Sequence, residues 1–249
     1  GFTVPFPMFR AAERRVVARY LEDAGSSDSE WFKGRAAVEP FMLALGRNPT
    51  AVGLLRNVLR ENIVIWGASS VTRRPRQIHH WHSGIESASP DGGFVSLWAG
   101  VRNTSHGTQL KFIRGSHQFG RSLQQALHER GLEREAANDA DILDIARTFD
   151  RRAEIVILTP NDGEAILFDG RIWHGSENAN DTATRQALLL QYARADVPVY
   201  RPDLRKLDWP LRLLSSPRPP VVVIAGEGCA RTNRIVKPPG PNTELKRAV

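Results

Sequence analysis

The chain has 249 residues, 41% of them apolar and 24% charged, the balance of a globular protein with a core rather than of a disordered segment. Apolar runs such as Val221–Ala225 fall far short of the ~20 residues that span a membrane, and no basic-then-apolar leader opens the sequence. The formal charge of +7 is spread along the chain in pairs, such as Arg73–Arg74 and Arg151–Arg152, with no dense basic run and no interleaved aromatics. That pattern reads as a solvated basic surface, argues against a nucleic-acid partner, and suits an anionic small-molecule substrate. A single cysteine, Cys229, excludes an internal disulfide and a thiolate-rich zinc site, and points to a reducing, cytoplasmic setting.

In chain order, Met8–Ala24 has the apolar spacing of an amphipathic helix ended by Gly25. Val38–Leu45 and Pro49–Asn62 read as two more helices, the last capped by Asn48 or Thr50. The texture then changes to short segments rich in β-branched and aromatic residues and punctuated by Gly, Pro, Asn and Asp. These are Ile63–Trp66, Gln77–His82, Phe94–Arg102, Gln109–Ile113, Glu154–Leu158, Ala165–Phe168 and Gln186–Tyr192, as expected of an all-β sandwich or barrel. Ser122–Asp150 reads as a helical insertion between strands. Val221–Ala225, between proline-rich turns, reads as an extra strand. The spacing predicts one domain over 1–249: a helical front (1–62), a β core (63–120 and 154–195), the insertion (121–153) and a C-terminal extension (196–249).

Seven histidines are available, and two sit in suggestive settings: His82 in His79-His80-Trp81-His82-Ser83-Gly84-Ile85-Glu86, and His174 in Trp173-His174-Gly175-Ser176. Ferrous oxygenases commonly hold their metal with two histidines and a carboxylate on one face. On a strand, residues i and i+2 point the same way, so a His-X-Asp/Glu pair can grip one ion. His79 and His80 are neighbours, so the alternation predicts that only one of them faces the pocket.

The series His82-Ser83-Gly84, Phe94–Arg102, Leu110–His117, His174-Gly175-Ser176 and Arg185 resembles the phytanoyl-CoA dioxygenase family over roughly residues 60–195. Trp81–Glu86 looks like the metal motif of the ectoine hydroxylases within it. The resemblance implies a mainly β, double-stranded β-helix fold (jelly roll, cupin-like) with N-terminal helices and a helical insertion. It implies His82 and His174 as metal ligands, Fe(II) as metal, and 2-oxoglutarate and O2 as co-substrates. Arg185 and Ser176 then hold the far carboxylate of 2-oxoglutarate, and Trp98 lines its pocket or packs the core. A guanidinium fork suits that carboxylate role. His117, in a Gly-Ser-His turn, stays outside the metal site.

Gly84 departs from the family, whose hydroxylases carry an aspartate here. One reading places a halide, chloride for instance, at the vacant position, as in the related halogenases. A second has Glu86 supply the third ligand; at about 13 Å from residue 82 along an extended strand, it needs a bulge at Gly84 to reach. A third is a two-histidine site with a weakly held metal. Halogenation ranks slightly above hydroxylation or oxidative cyclisation, and a catalytically inactive binding protein on the same fold is the non-enzyme alternative. The expected substrate is a small specialised metabolite, anionic or sugar-like, as in antibiotic tailoring.

Overall fold

The computed structural model describes residues 1–23, 28–84, 92–105, 107–206 and 212–240. Helices α1 (Ala11–Asp23), α2 (Pro40–Gly46) and α3 (Pro49–Leu59) come first; α4 (Leu123–Glu129) and α5 (Asp139–Arg147) lie in the insertion. The strands are β1 (Phe6–Pro7), β2 (Ile63–Arg73), β3 (Ile78–His82), β4 (Phe94–Arg102), β5 (Thr108–Ile113), β6 (Ile155–Leu158), β7 (Glu164–Asp169), β8 (His174–Asn178), β9 (Arg185–Arg194), β10 (Arg201–Pro202), β11 (Leu213–Leu214), β12 (Pro220–Ala225) and β13 (Arg234–Ile235). Seven strands form a large sheet in the order β1-β7-β4-β9-β2-β12-β13, and four form a smaller one, β3-β8-β5-β6. This is the jelly-roll class expected from the sequence.

The central strands β4 and β9 are buried along almost their whole length, because each of their faces meets a different layer. In β4, Val95, Leu97 and Ala99 pack with α1–α3, whereas Phe94, Ser96 and Trp98 face a cavity between the sheets. That alternation is the period of two that a strand imposes. Asn48 caps α3 by accepting a hydrogen bond from the Ala51 amide at 3.1 Å, with Pro49 in the first turn. The insertion is two short helices rather than one long one. Its Leu123, Leu127, Ile142 and Ile145 pack with Trp81 and Trp173 on the outer side of the small sheet. Asn138 and Asp141 form a capping box at the start of α5.

Two one-residue bulges set which side chains reach the interior. On β2, Ile65 pairs with Tyr192 but Gly67 pairs with Gln191, so an extra residue enters at Trp66. Ile63 and Ile65 pack with the helices before the bulge and Ala68 does so after it. Ser69, Val71 and Arg73 consequently face the cavity. On β3, His79 pairs with Ser176 and His82 with His174, three residues against two. Three residues apart, His79 and His82 would face opposite sides of a regular strand. The bulge brings both to the interior.

Candidate active site

The cavity has a volume of about 380 Å³ and is lined by both sheets, a size usual for small-molecule sites. His79, His82, His174 and Ser176 reach it from the small sheet, and Arg73, Ser96, Trp98 and Gln191 from the large one. His174 is wedged beside Phe112 and Phe168, with ring centroids 6.2 and 4.8 Å away. The His82 and His174 rings lie 4.1 Å apart, and the His79 ring is 4.4 Å from that of His82.

Both candidate ligands are oriented in the same way. His82 Nδ1 is 2.9 Å from the His80 carbonyl oxygen, and His174 Nδ1 is 2.9 Å from that of Ile172. A carbonyl can only accept, so each Nδ1 carries the proton and each Nε2 keeps its lone pair. This is the tautomer and anchorage that metal-binding histidines need. The main chain just after His82 is held by Gln124 of α4. Its carboxamide oxygen accepts from the Ser83 amide at 3.1 Å and from the Ser83 hydroxyl at 2.9 Å, and its nitrogen donates to the Ser83 carbonyl at 2.9 Å. Nothing in the local sequence marks Gln124 for this role, since its partner lies 41 residues away.

Burial, and then the charges of His174 and His79, keep the pKa of His82 well below the usual imidazole range. Burial, followed by Arg73, His174, Arg134 and Arg185, pulls His79 down to about 3. The metal-free fold therefore resists protons that the unfolded chain takes up below about 6.5. Its stability should be full above that pH and decline as pH falls towards about 3. Denaturant midpoints of metal-free protein between pH 7.5 and 4 check this; a flat profile would show the histidines to be solvated.

Gly84 lines the cavity beside these rings. Its amide donates to the Gly170 carbonyl at 2.7 Å, and a Cβ placed on it would stand 2.6 Å from that oxygen and 3.3 Å from the Phe94 ring. The glycine thus has a packing reason of its own. Glu86 lies outside the described residues. Among the described residues no three His, Cys, Asp or Glu are grouped so as to hold a metal, and His82 and His174 remain the candidate donors. Imidazole pairs of this kind suit Fe, Ni, Zn or Cu.

Arg185 is fully buried. It donates to the Glu177 carbonyl at 3.1 Å and to the Ser176 hydroxyl at 3.2 Å, while its Nε has no partner among the described residues. Its guanidinium lies 5.6 Å from the Trp98 ring, so Trp98 both lines the cavity and packs against the arginine. Burial, and then the charge of Arg73, lower its pKa to about 10, which leaves it charged at neutral pH. No Asp or Glu is among the described residues that line the cavity. A buried cation with no acid beside it is costly unless an anion arrives to share the site.

The fold is shared with several solved structures. ThoJ, a non-heme monooxygenase, superposes with a TM-score of 0.64 at 14% identity, over 100% of this chain and 89% of that one. HygX from Streptomyces hygroscopicus, with nickel and 2-oxoglutarate bound, gives 0.58 at 16% identity over 81% and 85%. SnoK, a non-heme alpha-ketoglutarate-dependent carbocyclase from nogalamycin biosynthesis, gives 0.56 at 14% over 80% and 81%. At these identities the likeness establishes the fold. No family model matches the sequence, and no curated protein does either. No helix among the described residues is long and apolar enough to cross a membrane.

Proposed function

We propose that this protein is an Fe(II)- and 2-oxoglutarate-dependent enzyme of the phytanoyl-CoA dioxygenase type that functionalises a C–H bond of a small molecule. The observation that carries the reading is Arg185, a buried guanidinium with an unpartnered Nε beside a cavity whose described lining has no acid. The far carboxylate of 2-oxoglutarate answers that need, with Ser176 as its second contact and Trp98 as a wall. His82 and His174 hold the iron through Nε2. When bound, iron and 2-oxoglutarate together activate O2 and supply an oxidant able to take hydrogen from carbon. The protein's part is to fix both imidazoles through their Nδ1 bonds, to surround His174 with phenyl rings, and to hold the chain at Ser83. The similar fold of SnoK, an alpha-ketoglutarate-dependent carbocyclase from nogalamycin biosynthesis, supports a specialised metabolite as substrate.

The test is anaerobic titration of the Fe(II)-loaded protein with 2-oxoglutarate, followed by its metal-to-ligand charge-transfer absorption. A saturable band is expected; failure to bind either iron or 2-oxoglutarate would reduce the protein to an unrelated binding role on the same fold.

One reading for the product is hydroxylation or another oxidative outcome such as cyclisation, in which Glu86 or water would take the place of the missing carboxylate. Halide incorporation is the second reading, favoured by one observation: Gly84 opens onto the cavity next to His82. A chloride-dependent shift of the charge-transfer band supports it, and an unchanged spectrum removes it. Gly84→Asp serves poorly as a control, because any Cβ there meets the Gly170 carbonyl. That variant should lose about 1–3 kcal/mol of stability, the usual cost of forcing atoms into filled space. Denaturation midpoints measure it, and an unchanged midpoint would show that the Gly84–Gly170 contact yields easily.

A further inference from the structure

Arg185 is not the only cation at its end of the cavity. Its partner across the β2–β9 ladder is Arg73. Cross-strand partners share a face with Cβ atoms about 5 Å apart, where two like charges oppose each other. An acid between them would ordinarily relieve this, and none is present among the described residues. Among the described residues Arg73 donates only to the carbonyl of its neighbour Thr72, and its Nε is buried without a partner there, as is that of Arg185. Burial lowers the pKa of Arg73, with no acid to offset it. Arg73 lines the cavity, whereas Arg185 is fully buried next to it. The bulge at Trp66 gives β2 the phase that turns Arg73 inward.

We infer that Arg73 and Arg185 together clamp the far carboxylate of a 2-oxo dicarboxylic acid, with Arg73 as a second guanidinium that the co-substrate's acid group contacts. This rests on the proposed function and adds a recognition residue to it. A carboxylate has two oxygens and about four lone-pair sites, enough to accept from two guanidinium forks. With the acid in place, one repulsion between the arginines becomes two attractions. The pair is then coupled through the ligand, and losing either arginine removes most of the preference for a dicarboxylate.

The test compares two ligands by calorimetry on the Ni(II)-loaded protein: 2-oxoglutarate, and 2-oxopentanoate, the same five-carbon 2-oxo acid without the far carboxylate. Wild type should prefer 2-oxoglutarate strongly. Arg73→Gln should weaken 2-oxoglutarate at least about tenfold and change 2-oxopentanoate less than about twofold, and Arg73→Lys, which keeps the charge, should recover part of the loss. Arg185→Gln should show the same pattern. If Arg73→Gln binds 2-oxoglutarate like wild type while Arg185→Gln does not, the clamp is overturned and the functional reading stands. Equal weakening of both ligands also overturns it, since Arg73 would then only shape the site. A wild type that does not distinguish the two acids sinks both. Melting curves of the apo variants confirm that each is folded.

Discussion

Arg185→Met is expected to lower affinity for 2-oxoglutarate by about two to three orders of magnitude while the apo protein melts no lower than wild type. Truncating one partner of a buried, hydrogen-bonded charge pair costs about 2–5 kcal/mol of binding. Stability should behave in the opposite way from an ordinary buried ion pair, because the apo protein has no pair here to break. The wild-type side chain spends its burial on two neutral acceptors and an unpartnered Nε. Of those acceptors, Ser176 borders the cavity, where water can replace the lost bond. Thermal melts of the apo protein, and of the Ni(II)-loaded protein with and without 2-oxoglutarate, measure both effects. With ligand at 100 times the wild-type Kd, wild type gains about 2.7 kcal/mol, or about 5–10 °C for a chain of this size, and the variant gains at most about 0.4 kcal/mol. A fall of about 3–5 kcal/mol in the apo variant would instead mark Arg185 as a structural ion-pair member.

His174→Ala should have the largest effect on the metal. It removes one of the two imidazoles whose Nδ1 protons are tied to the backbone. The loss in Ni(II) or Fe(II) affinity should exceed the ~10–100-fold that follows removal of a group that merely orients a ligand. His79→Ala should leave affinity within a few-fold, because no three-residue metal group forms among the described residues. Metal titration of the two variants decides the point. Equal losses in both would make the centre a three-nitrogen one.

Much of this was legible in the sequence, and the exceptions have physical causes. The central strands were read within a residue or two, because β4 and β9 are apolar on both faces. Strand β8, with the sequence HGSEN, carries no strand signature of its own and exists because β3 and β5 flank it. Strand β2 was read as ending at Trp66 but continues to Arg73. Its second half is polar because it faces a cavity rather than a core. Ser69 and Arg73 therefore carry no apolar strand signature. Arg73 escaped notice for a further reason: its direction depends on the bulge at Trp66, which strict alternation does not foresee. His79 was hidden in the same manner, by the bulge in β3. The candidate residues His82, His174, Ser176 and Arg185 come from the resemblance to the phytanoyl-CoA dioxygenase family; the fold puts the first three on the lining of one cavity and Arg185 against Ser176.

The hydrogen bonds of Gln124 make the candidate active site less modular than its layout suggests. In a barrel of this type the insertion is the natural place to exchange sequence when a new substrate must be fitted, and here Gln124 and Arg134 of the insertion border the cavity. Yet the same glutamine fastens the chain one residue beyond His82. An engineer who transplants a foreign insertion onto this scaffold would disturb metal retention along with substrate choice unless a carboxamide is kept at position 124. The part free to diversify and the part obliged to stay constant meet in one side chain.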